Sequence, residues 1–83
     1  MSYQLELRHF RYFLAVAEEL HYRKASERLF ISQPGLSRQI KQMEAVLETQ
    51  LFVRDKKKVR LTLAGVHLKG ELEHTMAQIE KTV

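Results

Sequence analysis

One short segment, Ser32-Gln33-Pro34-Gly35-Leu36-Ser37-Arg38-Gln39-Ile40, carries the hydrogen-bonding side chains best suited to recognising another molecule. Ser32 is a favourable helix N-cap, and Pro34 follows in the first turn, where its missing N–H costs nothing. From the start of such a helix, a Gln amide can bond an adenine edge bidentately, and Arg38 can reach a guanine or a phosphate. The segment therefore predicts recognition of base edges in a DNA major groove.

Catalytic chemistry is poorly represented, and we predict that the chain is not an enzyme. Asp55 is the only Asp, Cys is absent, and no Gly-rich phosphate loop occurs. His67, Glu71 and His74 share one helix face and could be considered as metal ligands, but no fourth ligand is indicated. A solvated helix face is the better interpretation, and we expect neither a metal nor a cofactor in these residues.

Charge favours a polyanionic partner. The 83 residues contain 14 Lys and Arg against 10 Asp and Glu, a formal charge of +4 with a pI near 9.6. The absence of Cys fits a reducing compartment, and no signal peptide or membrane-spanning run is visible, so we expect a cytoplasmic protein without a membrane partner.

Three helices should position the recognition segment. Apolar residues at spacings of three and four predict the first helix over about Leu7–Leu20 and the third over Gln33–Leu47. The second, about Arg23–Phe30, lacks a strong N-cap and is expected to fray, and Phe30-Ile31 forms the turn before the third helix. On the third helix, the apolar residues Leu36, Ile40, Met43 and Leu47 form a stripe that should face the core. Small and basic residues, including Arg38 and Lys41, lie on the opposite face.

A basic hairpin should follow. Residues 51–54 and 59–62 are strand candidates, joined by Asp55-Lys56-Lys57-Lys58 and flanked by Arg54 and Arg60. Cations concentrated on a protruding tip repel one another, and a DNA backbone or an A·T-rich minor groove would relieve that repulsion. Helices followed by such a hairpin constitute a winged helix-turn-helix.

The last helix begins after Thr62 and carries a heptad-like apolar seam. The predicted dimerisation residues of this seam are Leu68, Leu72, Met76, Ile79 and Val83. Because the pattern stops at Val83 without a capping residue, we expect the chain to be a fragment of a longer protein cut inside this helix.

Several spaced blocks resemble one family, the N-terminal DNA-binding domain of LysR-type transcriptional regulators. These blocks are Ala25-x3-Leu29, Ile31-Ser32-Gln33-Pro34-x-Leu36-Ser37-Arg38-Gln39-Ile40, Glu44-x2-Leu47, Leu51-Phe52-x-Arg54 and Leu61-Thr62-x-Ala64-Gly65. The resemblance implies bacterial origin, dimerisation through a long linker helix, and a C-terminal domain, absent here, that senses a small-molecule effector. It also implies DNA contacts at Ser32, Gln33, Pro34, Ser37, Arg38 and Arg54. The chain departs from the family at Glu48, where Gly is usual, and at Gly35, which could loosen the helix start.

The prediction is a mainly α protein, a winged helix-turn-helix of three helices and a two-stranded wing, followed by a long dimerisation helix. Residues 1–62 form the DNA-binding domain and residues 63–83 begin the linker helix. A homodimer, with a tetramer as an option for the full-length protein, would bind a pseudo-palindromic duplex in successive major grooves. The predicted DNA-binding residues are Ser32, Gln33, Pro34, Ser37, Arg38, Lys41, Arg54, Lys56, Lys57, Lys58 and Arg60.

Two other functions remain open at this stage. One is a helical protein–protein module in which the seam is the functional surface and the basic tip only adds solubility. The other is an RNA binder, although no aromatic stacking platform for single strands is visible. Gel shifts with duplex DNA, duplex RNA and a scrambled competitor would separate these functions.

Overall fold

The computed structural model describes residues 5–55 and 58–82. Four helices and one hairpin follow one another along the chain, confirming the predicted winged helix-turn-helix. The bounds are α1 Leu7–Glu19, α2 Tyr22–Leu29, α3 Gln33–Leu47, β1 Phe52–Asp55, β2 Lys58–Leu61 and α4 Leu63–Thr82. No helix in the described ranges combines the length and apolar character needed to cross a membrane.

The core lies where α1, α2 and α3 meet the base of the hairpin. The largest fully buried side chains are Phe13, Val16, Leu36, Ile40, Met43 and Leu51. Leu36, Ile40 and Met43 form the apolar stripe predicted for the inner face of α3. Leu47, at the end of that stripe, is only half-buried. Ala25 is fully buried on α2, and its small side chain permits close packing of α2 against neighbouring helices.

Helix ends show two differences from expectation. The His21 ring caps α2, because its Nδ1 accepts the Lys24 N–H at 3.2 Å, so a side-chain cap is present where no strong cap was expected. Leu20, predicted as the last residue of the first helix, is 44% exposed and adopts the left-handed conformation that ends α1 at Glu19. Phe30 and Glu48 end α2 and α3 in the same way, so the chain forms these turns without glycine.

Arg28 joins the ends of α1 and α2. Its guanidinium lies 2.7 Å from a Glu18 carboxylate oxygen and 3.2 Å from one of Glu19. Hydrogen bonds with Arg28, together with its charge, lower the pKa of the Glu18 carboxyl despite the opposing effect of burial, which is the largest single influence. The pair of bridges therefore joins the last turn of α2 to the last turn of α1.

The hairpin is antiparallel, with Phe52 opposite Leu61 and Asp55 opposite Lys58. Both strands lie within one residue of the predicted positions. Phe52 is buried, and its ring packs against Phe13 at a centroid distance of 5.3 Å, so the wing is continuous with the core at its base.

Thr62 begins α4 as predicted. Its hydroxyl accepts the Gly65 N–H at 3.0 Å and donates to the Gln50 carbonyl at 2.7 Å, which ties the helix start to the loop before β1. Gly65 is buried in this junction, and a Cβ there would lie only 2.3 Å from the Leu51 carbonyl oxygen. The close approach of α4 to Leu51, the residue just before β1, therefore requires glycine.

Candidate nucleic-acid interface

The N-terminus of α3 is held by its predicted cap. The Ser32 Oγ accepts the Gly35 N–H at 3.0 Å, and Pro34 occupies the first turn. A Cβ on Gly35 would lie 2.8 Å from that same Oγ. The missing side chain of Gly35 therefore leaves room for the Ser32 cap at the helix start that the family comparison led us to expect to be loose.

The residues in and just before α3 that are predicted to bind DNA lie together at the protein surface. Ser37 is half-buried, and the others are exposed: Ser32, Gln33, Pro34, Arg38 and Lys41. The opposite side of α3 carries the buried stripe that anchors the helix to the core. Helix α3 thus has one face available for a partner, and that face holds an amide, a hydroxyl and two cations.

The wing contributes three described cations. Arg54 lies with its guanidinium carbon 4.1 Å from the centroid of the Tyr22 ring, and its Nη2 donates a long hydrogen bond of 3.4 Å to the Ser37 Oγ. Lys58 is exposed at the start of β2, and Arg60 is 3.8 Å from the Asp55 carboxylate. Lys56 and Lys57, also predicted to bind DNA, lie outside the described residues.

An open cleft joins these two elements. It has a volume of about 230 Å³ between the start of α2, the start of α3 and the wing, and Gln33, Arg54 and Lys58 from the predicted set line it. The other lining residues are Leu20, His21, Tyr22, Arg23 and Val59. Three cationic side chains and one carboxamide on a single concave surface suit a phosphodiester backbone with a base edge beside it. The other described residues of the predicted set do not line this cleft: Ser32, Pro34, Ser37, Arg38, Lys41 and Arg60.

Sequence reasoning missed the side chain that holds the wing to α3. One carboxylate oxygen of Glu44 accepts the N–H groups of Leu51 and Phe52, at 2.7 and 3.1 Å. These charge-assisted bonds fix the entry to β1 relative to the recognition helix. The Glu44-x2-Leu47 block carried the signal, because a half-buried carboxylate on α3 needs a partner.

The sequence analysis also missed Tyr22, which was not assigned to the predicted DNA-binding residues. Its ring is 8% exposed and forms the surface on which Arg54 lies. An aromatic residue between His21 and Arg23 was the available signal, since an aromatic ring attracts guanidinium groups.

The predicted dimerisation seam is partly occupied by the chain itself. Leu68, Leu72 and Met76 are half-buried and pack against the core. Ile79 is 46% exposed, and Val83 lies outside the described residues. Helix α4 crosses α1 over the first part of the seam. Among the described residues, the later part of the seam and the uncovered edges of these side chains are therefore what a partner could contact.

His67, Glu71 and His74 are all exposed on α4. Over residues 5–55 and 58–82, no three His, Cys, Asp or Glu side chains come close enough together to hold a metal ion. Within the described residues, His67, Glu71 and His74 therefore do not form a metal site, although their spacing places them on one helix face.

Comparison with known proteins identifies proteins that are similar to this chain in sequence. The protein-family model described as "Bacterial regulatory helix-turn-helix protein, lysR family" matches residues 7–66. The Hca operon transcriptional activator HcaR of Escherichia coli (strain K12) is 54% identical over 61 residues, which is 74% of this chain and 21% of that protein. The chain spans about a fifth of the length of curated relatives of this kind.

Two solved structures have closely similar folds. The BenM DNA-binding domain in complex with the catB site 1 DNA superimposes with a TM-score of 0.88 at 38% identity, covering 94% of this chain and 88% of that one. The CbnR DNA-binding domain, also in a DNA complex, gives a TM-score of 0.85 at 32% identity, covering 94% and 90%. Both of those structures are complexes with DNA.

Proposed function

Because the chain belongs to the lysR family of bacterial regulatory helix-turn-helix proteins, we propose that it binds double-stranded DNA sequence-specifically, as the DNA-binding part of a transcriptional regulator. The observation that carries the proposal is the cleft in which Gln33 of α3 meets Arg54 and Lys58 of the wing. Recognition of a DNA groove needs a side chain that contacts base edges and, on the same surface, side chains that neutralise phosphates. The complexes formed by BenM and CbnR are consistent with this function.

Contacts divide into two classes in this proposal. Gln33, Ser37 and Arg38 supply base selectivity from the exposed face of α3 in the major groove. The phosphate contacts come from Ser32, Lys41, Arg54, Lys56, Lys57, Lys58 and Arg60, whereas Pro34, which has no hydrogen-bond donor, contributes only van der Waals contact with the DNA. Phosphate contacts fix register and orientation, whereas base-edge contacts distinguish one sequence from another.

Gln33→Ala tests this division. We expect the variant to lose about 1–3 kcal/mol of binding free energy on a duplex selected by the unaltered chain from a random pool, and little on unselected duplex, because the amide contacts a base edge. Fluorescence anisotropy on both duplexes measures the difference. Gln78→Ala, at an exposed position on α4, is the matched control and should bind like the unaltered chain. Equal losses on both duplexes would show that Gln33 reads no base.

We further propose that residues 1–62 carry DNA binding and that the helix from residue 63 carries a homodimer contact. The support is the row of apolar side chains on α4 that its own core covers only in part, together with Ile79, which continues that row two turns beyond Leu72. A twofold dimer would present two α3 helices to half-sites one helical turn, or a multiple of a turn, apart. Response to a small-molecule effector, as well as assembly beyond the dimer, belongs in this proposal to the longer regulator and not to these 83 residues.

Ile79→Glu tests the dimer contact. The unpaired carboxylate should raise the dimer dissociation constant by about 100-fold, since burying it costs several kcal/mol. Analytical ultracentrifugation over a concentration series measures the shift. Ile79 is preferable to Leu72, because Leu72 packs on its own core and its replacement would also impair folding. Gln78→Glu places the same charge one residue away and should leave the dimer intact; a dimer that survives Ile79→Glu would exclude this interface.

A further inference from the structure

Arg54 occupies a defined position before any partner is present. Its guanidinium carbon lies 4.1 Å from the Tyr22 ring centroid, well within the roughly 6 Å at which a cation and an aromatic face attract. Its Nη2 also donates to the Ser37 Oγ at 3.4 Å. The side chain of a wing residue is thus held between α2 and α3, although the residue itself is exposed to solvent.

The Tyr22 ring is a rigid support. The residue is 8% exposed, and the edge of its ring faces Phe52 at a centroid distance of 6.3 Å and an interplanar angle of 65°. Phe52 in turn packs 5.3 Å from Phe13 in the core. A continuous series of rings therefore connects the centre of the domain to the guanidinium, and close packing leaves the Tyr22 ring little freedom to move.

The electrostatics of this contact are favourable. Burial raises the pKa of the Tyr22 phenol above its ordinary value, against a smaller opposing effect of the Arg54 charge. The ring therefore stays neutral at physiological pH and presents its electron-rich face to the cation. A guanidinium that stacks by its face keeps its edge N–H groups free for a carboxylate-like or phosphate-like acceptor.

We propose, on the basis of the DNA-binding function argued above, that Tyr22 is a positioning residue that orders Arg54 for contact with DNA. An unsupported Arg loses much of its rotamer freedom when it binds, and this loss weakens affinity. Stacking on Tyr22 removes part of that freedom in the free protein. Arg54 then lines the same cleft as Gln33 and Lys58 and enters the complex already directed between wing and recognition helix.

A double-mutant cycle tests the coupling. The probe is the duplex selected by the unaltered chain, and the variants are Tyr22→Leu, Arg54→Ala and both together. Tyr22→Leu should weaken binding about two- to fivefold, the range of an exposed cation–aromatic contact, and should have no further effect once Arg54 is Ala. Tyr22→Phe keeps the ring and should restore binding to within about twofold.

A second pair of measurements covers the case in which Tyr22→Leu fails to fold. Arg54→Lys, at the exposed end of the contact, keeps the charge but loses the planar group, and it should weaken binding two- to fivefold with an unchanged salt slope. In the free protein, the ¹⁵Nε order parameter of Arg54 should exceed that of Arg60, which is also exposed on the wing, both in the unaltered chain and in Tyr22→Phe.

The outcomes are distinct. If Tyr22→Leu weakens binding equally with and without Arg54, or if Arg54→Lys binds as well as the unaltered chain, the positioning role is overturned while DNA binding stands. If the unaltered chain selects no duplex from the pool, the proposed function itself fails and the positioning role fails with it. Coupled loss with rescue by Phe supports the inference.

Discussion

A Gly65→Ala variant is expected to lose about 3 kcal/mol of unfolding free energy, the upper end of the range for an overpacked site. The added methyl group would lie 2.3 Å from the Leu51 carbonyl oxygen and 2.8 Å from a Leu61 methyl group. The Leu51 carbonyl cannot simply retreat, because it accepts the Thr62 N–H at 3.0 Å. Relief of the clash must therefore move α4 away from β1 or break the bond that leads the chain into α4.

Thermal unfolding followed by circular dichroism measures this loss. For a domain of this size, 3 kcal/mol corresponds to a decrease in Tm of roughly 12–24 °C. Gly70→Ala is the matched control, since it lies on the same helix and a Cβ there meets nothing within 4 Å. That variant should instead gain up to about 1 kcal/mol from the helix propensity of Ala. Equal melting temperatures for the two variants would contradict the close approach of α4 to Leu51.

Simultaneous replacement of Lys56, Lys57 and Lys58 by Ala is expected to give the largest loss of DNA affinity. Each phosphate contact contributes up to about 0.9 to the slope of log affinity against log salt concentration, so three contacts contribute up to roughly 2.7. Relative to a 1 M salt reference, that change amounts to up to roughly 500-fold in affinity at 0.1 M salt. The loss should be similar on every duplex, because phosphate contacts carry no sequence information.

A salt titration of binding, followed by anisotropy from about 0.05 to 0.4 M, measures the slope. The control replaces Arg8, Lys69 and Lys81 by Ala, which lowers the formal charge from +4 to +1 as the wing variant does (+4 − 3 = +1). Arg8 and Lys69 already lie within 4 Å of carboxylates, at 3.8 and 3.9 Å. The control should keep most of the slope. If both variants flatten the slope equally, net charge and not the wing determines affinity.

Local patterns predicted most of the fold. Apolar spacing located α1 and α3, and both strands were placed within one residue. Ser32 and Thr62 cap helices as expected, since an N-cap bond needs only a short-range partner three residues along the chain. The same local reasoning failed at His21, which caps α2 through a ring nitrogen rather than through one of the usual capping side chains.

Long-range contacts could not be predicted in this way. Pairing of the Glu44 carboxylate with the start of β1, and the stacking of Arg54 on Tyr22, each join residues from different elements. Periodicity places these side chains on faces of their own helices and strands but does not say which face meets which. The seam of α4 shows the same limit, because an apolar row looks alike in the sequence whether α1 or a second copy covers it.

By itself the sequence determined the helix-turn-helix order, the cap and exposed polar face of α3, and the positive charge of the wing, since these depend on residue type and short spacing. Only the tertiary structure decided that Gly65 lets α4 approach Leu51 just before β1, that Glu44 holds the wing to α3, and that Arg54 lies beside Ser37. The physical reason is that each of these depends on distances between segments remote in the chain, and such distances exist only after the core around Phe13 and Phe52 has packed.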